Sequence, residues 1–442
     1  SEMIRNSLQT SFKETVDLFS FRLVLYVVFL AIIPSYIVYK TKINYKSLKG
    51  EIVSKLKTIT LSLVIIFIII FSFSKFYTSF FREHKPLRYN VNPIYWIYSI
   101  GNYVHKTLDT APTVLKDIGL DAKVVENNSE TKELIILVVG ETARADRFSL
   151  NGYSKETNPL LKQEELVSFT NMSSCGTSTA HSVPCMFSIF PKDEYTYKKG
   201  ASTKNVLDVL NNTQDVAILW RDNNSDSKGV ALRVDYEDFQ TPKTNSICDE
   251  ECRDEGMLVG LEDYIEKNRG RDILIVLHQM GNHGPAYYKR YPKEFEKFTP
   301  VCKTNQLENC TKEEISNAYD NAILYTDYFL SKAINFLKKY SNTHEAGLLY
   351  VSDHGESLGE NGIYLHGMPY AIAPKAQTHV ASLIWLDNGQ MAHEYDINKI
   401  KQNKDKEYSH DNLFDTLLGL FEVKTEVYKK ELDILNEARK ED

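Results

Sequence analysis

The stretch "SCGTSTAHSVPC", residues 174–185, places a run of three consecutive hydroxyls, Thr177, Ser178 and Thr179, between two cysteines. Such a run is either a Ser/Thr-rich turn clipped by a disulfide or a loop that presents a nucleophile. A hydroxyl attacks well only when a base takes its proton or a metal lowers its pKa. No Gly-x-Ser-x-Gly elbow of a Ser-His-Asp hydrolase is visible. Candidate metal ligands stand elsewhere in the chain: Glu141 in "GETARADRF", and Asp353 with His354 in "SDHGE". Two carboxylates and one imidazole suit zinc and also manganese. The hydroxyl run is expected where a loop turns into a helix, so that free backbone N–H groups could hold a phosphate. Pro184 and a Cys175–Cys185 link would keep it rigid. On this chemistry alone Thr177, Ser178 and Thr179 stay equivalent.

Each group of polar candidates follows a short apolar run. "LIILVV" (134–139) leads into Gly140-Glu141-Thr142, and "VAILW" (216–220) into Arg221-Asp222-Asn223-Asn224. "ILIVL" (273–277) leads into His278 and then Gly281-Asn282-His283-Gly284; "GLLYV" (347–351) leads into Ser352-Asp353-His354-Gly355-Glu356. Their β-branched content and lack of polar alternation predict buried strands of a parallel sheet covered by helices. "ASLIWL" (381–386) predicts a further strand, and "NAILYTDYFLSKAINFLKKY" (321–340) a helix. The fold class is therefore α/β. In open α/β sheets the ligand crevice lies at the carboxyl ends of the strands, so one edge gathers acids, histidines and amides. Asp353 and His354 are neighbours and cannot share a strand face. A turn at the strand end, helped by Gly355, would aim both at one metal. His278 and His379 read as structural hydrogen-bonders. No internal repeat is visible.

What carries these strands is attached to a membrane. Leu23–Tyr39 and Thr58–Ser74 hold no charge, and at about 17 residues each they reach the lower limit for a bilayer span. Pro34 would kink the first, which lipid-embedded helices tolerate. Between them Lys40, Lys42, Lys46, Lys49, Lys55 and Lys57 face one acid, Glu51. The positive-inside rule makes this loop cytoplasmic and puts everything after Ser74 on the far side. The stretch before Leu23 would also lie outside, so earlier spans are expected ahead of it.

All six cysteines follow residue 170, in the close couples Cys175/Cys185, Cys248/Cys252 and Cys302/Cys310. Even count, short spacing and an outside location predict three local disulfides. A Cys-x-x-Cys zinc pattern is absent. Net charge is -7, from 52 basic against 59 acidic residues, which excludes the basic field of a nucleic-acid binder. Residues 76–132 read as a bridge. Its Tyr-rich "YNVNPIYWIYSIGNYVHKTL" contains Trp96 and suits either the membrane–water interface or a helix packed on the soluble part. The polar "ENNSETKE" (126–133) precedes a domain. The expected division is a membrane part over 1–75, the bridge over 76–132 and a catalytic domain over 133–442.

Six strings, "GETARADRFSLNGYSKETNPLL", "CGTSTAHSVPCMFS", "WRDNNSDSKGV", "HQMGNHGPAYYKRYP", "VSDHGESLGENGIYLHGMPY" and "SHDNLFDTLLGL", closely resemble the phosphoethanolamine transferases of Gram-negative inner membranes. These include the lipid A enzymes and the mobile colistin-resistance enzymes. The resemblance implies an alkaline phosphatase-like periplasmic domain tethered by five transmembrane helices, of which the two spans here correspond to the last two. It implies that Thr179 is the nucleophile and that Glu141, Thr179, Asp353 and His354 bind zinc. Asn224, Lys228, His283 and His366 correspond to residues that hold the substrate phosphate or a second zinc. The implied reaction moves phosphoethanolamine from phosphatidylethanolamine to lipid A or another surface glycan, through a phosphoethanolamine-threonine, in a monomer. A phosphoglycerol transferase or a sulfatase-like hydrolase on the same scaffold is the alternative.

Overall fold

The computed structural model describes residues 20–42, 47–73, 94–108, 114–125 and 131–440. Lys46, residues 74 and 75 at the end of the membrane part, the bridge residues 76–93, the polar residues 126–130 and the stretch 1–19 lie outside the described residues. The chain divides into two compact units, with the boundary between Ala111 and Pro112.

In the first unit, α1 (Phe21–Lys40) and α2 (Leu48–Ser72) run for 20 and 25 residues with mean hydropathy 2.2, and neither span has a buried residue. At ~1.5 Å per residue both lengths match a hydrocarbon core of about 30 Å. Proline removes a donor and clashes with the preceding turn. Here Pro34 follows a wider π-turn, Val28–Ile32, which accommodates it inside a continuous helix. α2 begins ten residues before the uncharged run does, because Ser47 caps it by accepting the Gly50 N–H (3.3 Å). α3 (Ile94–Leu108) leaves Trp96, Ile97, Tyr98 and Ile100 exposed.

The second unit is built on eight strands: β1 (Lys132–Gly140), β2 (Leu166–Ser173), β3 (Val216–Asp222), β4 (Asp235–Asp238), β5 (Asp272–His278), β6 (His344–Ser352), β7 (His379–Leu386) and β8 (Tyr408–Ser409). Their order across the sheet is β8-β2-β7-β6-β1-β5-β3-β4. Every strand expected from an apolar run is present. β2 was not expected, because Ser168, Thr170 and Asn171 interrupt its apolar residues. The pairs β6–β1, β1–β5, β5–β3, β3–β4 and β8–β2 are parallel, whereas β7 runs antiparallel to both neighbours. A parallel neighbour requires a crossover that carries the chain back to the starting edge. Residues 353–378 form short turns, a small antiparallel ladder of Ser357–Leu358 with Tyr364–Leu365 and a helix of four residues, and the chain re-enters the sheet from the edge where it left. The sheet is mostly parallel, with that one reversal.

Both faces of the sheet are covered. Ile135, Leu137 and Val139 pack on one side with the helix Leu413–Leu420; Leu134, Ile136 and Val138 pack on the other with α5 (Lys312–Leu337). Each of these six side chains is removed from water, worth about 1.5–3 kcal/mol apiece. α5 starts nine residues before the expected helix because Thr311 and Glu314 form a capping box. Ahead of β1, Ile118 and Ala122 are buried in the first of these cores, and Lys123–Val124 pairs with Val423–Lys424. The chain thus joins this unit before the polar 126–133 segment.

At the amino ends of the central strands lies a row of buried acids. Glu133 stands opposite Glu345 across β1–β6, and the Glu133 N–H donates to Asp272 Oδ1 (3.3 Å). Burial, and then the facing Asp272, push the Glu133 carboxyl far above its usual range, so it keeps a proton that the pair shares. A group whose folded pKa is raised contributes stability that is complete below its ordinary 4.5 and is lost as pH climbs toward the raised value. Glu133→Gln supplies a permanent N–H donor in place of that proton. It should raise the thermal midpoint at pH 8–9 by about 2–4 °C, roughly 1 kcal/mol, and leave the midpoint at pH 5 nearly unchanged. Thermal unfolding at both pH values checks this; a fall at both would show that the shared proton is not the constraint.

Candidate active site

Four strand ends converge. β1 ends at Gly140 and delivers Glu141; β6 ends at Ser352 and delivers Asp353 and His354. The Asp353 N–H donates to the Gly140 carbonyl (2.9 Å), which locks the two ends together. Glu141, Asp353 and His354 are fully buried. Glu141 Oε1 accepts from Thr142 Oγ1 (2.8 Å), and Oε2 accepts from Asn224 Nδ2 (2.7 Å) and Thr179 Oγ1 (3.1 Å). Asp353 Oδ1 accepts the N–H groups of Thr142 (3.1 Å) and His354 (2.7 Å), while its Oδ2 is buried without a hydrogen-bond partner.

His354 Nδ1 lies 2.9 Å from the Gly355 carbonyl. A carbonyl only accepts, so Nδ1 carries the proton and Nε2 keeps its lone pair. That nitrogen faces Thr179 Oγ1 at 3.4 Å, Asp353 Oδ2 at 3.3 Å and Glu141 Oε1 at 3.6 Å. Burial, reinforced by His366, lowers the His354 pKa to about 4, and burial raises Asp353 to about 6. Two buried carboxylates, a neutral imidazole with its lone pair turned inward and an orphaned oxygen fit a metal ion. Ligand atoms of Glu141, Asp353 and His354 lie within 4.8 Å of one another.

Two local details hold these ligands. Thr142 adopts φ +56°, a costly conformation for a β-branched residue, which brings its N–H to Asp353 and its hydroxyl to Glu141. Gly281, at φ +47°, lies where an added Cβ would meet the Glu141 carbonyl at 2.9 Å. Gly355 serves a different purpose from the expected turn: a Cβ there would lie 2.1 Å from the Ala376 carbonyl, so close packing is what demands it.

Thr179 opens α4 (Thr179–Met186), and Ser178 at the N-cap makes no side-chain cap bond. The structure separates the three hydroxyls. Only Thr179 faces Glu141 and His354; Thr177 Oγ1 donates to the Met368 carbonyl (2.6 Å), and its own carbonyl accepts the Gly367 N–H (2.7 Å). Cys175–Cys185 is bonded, as are Cys248–Cys252 and Cys302–Cys310. The Gly176 N–H further donates to Ser182 Oγ (2.9 Å), tying the loop to its helix.

The remaining expected residues fall into two groups. Asn224 is spent on Glu141 and on the Gln279 carbonyl (2.8 Å). Lys228 reaches it only through Ser225: Nζ donates to Ser225 Oγ (2.6 Å), which donates to Asn224 Oδ1 (2.9 Å). The His366 ring lies tilted by 45° beside His354 with centroids 4.3 Å apart, and the His283 ring meets His366 edge-on at 5.7 Å between centroids. Glu356, absent from the sequence-based set, accepts from His366 Nδ1 (2.8 Å) and from the Tyr287 hydroxyl (2.6 Å). Burial opposes charge on His366, but Glu356 overcomes it and lifts the pKa to about 9; burial lowers His283 to about 4. His354, Glu356 and His366 form a second group with metal-ligand spacing. The string "DHGE" held the signal for Glu356; Thr142 gave none, since its role rests on a backbone angle. His278 bonds Asp222 (2.8 Å) and His379 bonds the Thr170 carbonyl (2.7 Å), both as structural hydrogen-bonders.

A mostly parallel sheet with a hydroxyl on the first residue of a helix set against an acid, an aspartate and a histidine at its strand ends defines the sulfatase, or alkaline phosphatase-like, class. The Sulfatase family matches residues 133–423, and the family described as Phosphoethanolamine transferase EptA/EptB matches residues 1–108. The chain is 46% identical to phosphatidylethanolamine transferase Mcr-2 of Escherichia coli, over 95% of this chain and 79% of the relative. It is 42% identical to phosphoethanolamine transferase EptA of E. coli K12, over 99% and 81%. The full-length lipooligosaccharide phosphoethanolamine transferase A of Neisseria meningitidis superposes with a TM-score of 0.94 at 36% identity, covering 100% of this chain and 82% of that one. The chain belongs to the phosphoethanolamine transferase family.

Proposed function

We propose that this chain transfers phosphoethanolamine from phosphatidylethanolamine to a phosphate or hydroxyl of lipid A or a similar surface glycolipid, with Thr179 as nucleophile and zinc as metal. The observation that carries the reading is the Thr179 hydroxyl, 3.1 Å from Glu141 and 3.4 Å from the lone pair of His354, beside an unpartnered Asp353 oxygen. The chain is an inner-membrane enzyme with its catalytic domain in the periplasm. Residues 1–75 form its membrane part, the bridge starts at 76, and the catalytic unit includes the chain from Pro112 onward rather than from 133. Anchoring confines the site to the surface where donor and acceptor both present their headgroups.

When bound, zinc held by Glu141, Thr179, Asp353 and His354 would favour the alkoxide and offset charge on the phosphoryl oxygens. Thr179 Oγ1 forms a bond to phosphorus as the bond to the diacylglycerol oxygen breaks, and its proton has an acceptor in Glu141. The leaving oxygen needs a proton. His366, charged below pH 9 and held at Nδ1 by Glu356, can supply one from Nε2. An acceptor oxygen then attacks the phosphothreonine and releases Thr179. Lys228 and His283 are assigned to the substrate phosphate. The product carries an ammonium group on lipid A, which weakens the anionic surface that polymyxins bind.

The test is donor choice. Full-length protein given headgroup-labelled phosphatidylethanolamine and lipid A should move label to the acceptor and release diacylglycerol. Equal use of phosphatidylglycerol would favour a phosphoglycerol transferase, and release of ethanolamine phosphate to water would favour a hydrolase. The acid assignment has its own check. His366 owes its raised pKa to Glu356, so Glu356→Gln should bring the alkaline limb of the rate profile down from near pH 9 toward the ordinary histidine range. An unmoved limb would remove His366 from that role.

A further inference from the structure

The string "SHDNLFDTLLGL" (409–420) takes no part in the chemistry above, yet its first residues reach the site. β8 runs parallel beside β2 with Ser409 opposite Ser173, so the chain leaves β8 next to the loop that carries Thr179. Ser409 caps the turn that follows by accepting the Asp411 N–H (3.1 Å). His410 is 1% exposed. Its Nδ1 accepts the Cys175 N–H (3.0 Å), and its Nε2 bonds the Ser352 carbonyl (3.0 Å). A backbone N–H only donates and a carbonyl only accepts, so the neutral Nε2–H tautomer satisfies both partners. Burial, with a smaller push from His354, holds the ring neutral down to about pH 4. Cys175 lies four residues before Thr179, and Ser352 immediately precedes Asp353. One imidazole therefore ties the nucleophile loop to the strand end that carries two metal ligands. The other restraints on this loop go elsewhere: the disulfide joins it to α4, and Thr177 joins it to residues 367 and 368.

We propose that His410 is a positioning residue for the transfer reaction, bridging the Cys175 N–H and the Ser352 carbonyl so that the Thr179 hydroxyl meets Glu141, Asp353 and His354. The inference rests on Thr179 as nucleophile. Misplacing a reacting group by about 1 Å can cost about 10²-fold in rate, and this bridge sets the spacing of the two elements that must meet.

The experiment compares His410→Ala, His410→Asn and His410→Gln in the zinc-loaded full chain with phosphatidylethanolamine and lipid A. Donor-only quenching counts the sites that form the threonine adduct, so turnover can be expressed per competent site. Asn sets an amide oxygen where Nδ1 stands and keeps the Cys175 bond; Gln reaches the place of Nε2 and keeps only the Ser352 bond. His410→Ala should lower kcat per competent site by about 10²-fold, with donor KM and bound metal unchanged. His410→Asn should recover to within about tenfold of wild type, and His410→Gln should recover less. Unchanged turnover per competent site, with only adduct amplitude or thermal stability reduced, would make His410 a scaffold residue and overturn the proposal. If His410→Ala does not fold, wild-type per-site turnover in both the Asn and Gln variants, each of which breaks one end of the bridge, overturns it instead. Thr179→Ala is run alongside. Its survival as an active enzyme would sink the nucleophile reading itself, whereas an inactive Thr179→Ala beside a fully active His410→Ala sinks only the bridge.

Discussion

Thr179→Ala should abolish transfer, with a loss of at least about 10⁴-fold, the scale seen when a catalytic nucleophile is deleted. The substitution removes one hydroxyl from the first turn of an eight-residue helix and leaves the Cys175–Cys185 clasp, the Ser182 bond and the Thr177 bond in place. The fold should therefore survive, and thermal unfolding should stay close to wild type. The decisive measurement is chemical. Full-length protein is incubated with phosphatidylethanolamine without acceptor, quenched in acid and mapped by mass spectrometry. Phosphoethanolamine should sit on Thr179, disappear in Thr179→Ala and persist in Ser178→Ala. Thr177→Ala should also keep the adduct, at reduced yield if the bond to Met368 helps hold the loop. Modification of either neighbour, or rapid turnover by Thr179→Ala, would contradict the assignment. Thr179 is favoured because its hydroxyl alone of the three is bonded to Glu141 and turned to His354.

Asp353→Asn should remove metal and activity together. Asparagine keeps an oxygen for the Thr142 and His354 N–H groups, so the two strand ends stay joined. Oδ2 is replaced by an NH₂ group, which cannot ligate a cation. Asp353→Ala would also strip both N–H groups of their acceptor, at about 1–3 kcal/mol, and is the less informative change. Metal analysis of Asp353→Asn should find less than about a tenth of the wild-type content, and turnover should fall by at least about 10³-fold, the scale of losing a dominant electrostatic contribution. Chelation of the wild type should have the same effect and be reversed by zinc. Recovery with manganese but not zinc would change the metal, and full metal content in Asp353→Asn would remove Asp353 from the site.

Much of this architecture was already legible in the residue order, for a definite physical reason. A strand buried on both faces has no polar alternation, so "LIILVV", "VAILW", "ILIVL" and "GLLYV" stand out as apolar runs. The polar residues that follow each run must lie at one edge of a parallel sheet. That logic brought Glu141, Asp353, His354 and His283 to one place before any coordinates. The two charge-free runs and the lysines between them marked the membrane part, and close cysteine couples on the far side marked the disulfides. Motif resemblance singled out Thr179 among three hydroxyls that residue chemistry left equivalent.

Tertiary structure decided what depends on distance and direction. The reversal of β7 is set by residues 353–378 folding over the carboxyl edge of the sheet and returning there, which no property of "ASLIWL" encodes. Selection of Thr179 by geometry required the loop to be pinned at Thr177 and clasped at Cys175, so that of the three hydroxyls Thr179 alone bonds Glu141. Asn224 proved to be a support for Glu141, and Lys228 to be linked to it through Ser225, because a side chain's partner is set by neighbours far away in sequence. Glu356, Thr142 and His410 act through contacts with residues 10, 211 and 235 positions away. Residue order settles which residue types arrive at the edge of the sheet. Packing determined which oxygen is left bare, which imidazole nitrogen keeps its lone pair and which hydroxyl stands between them, since each of these is settled only when a donor and an acceptor are brought within about 3 Å.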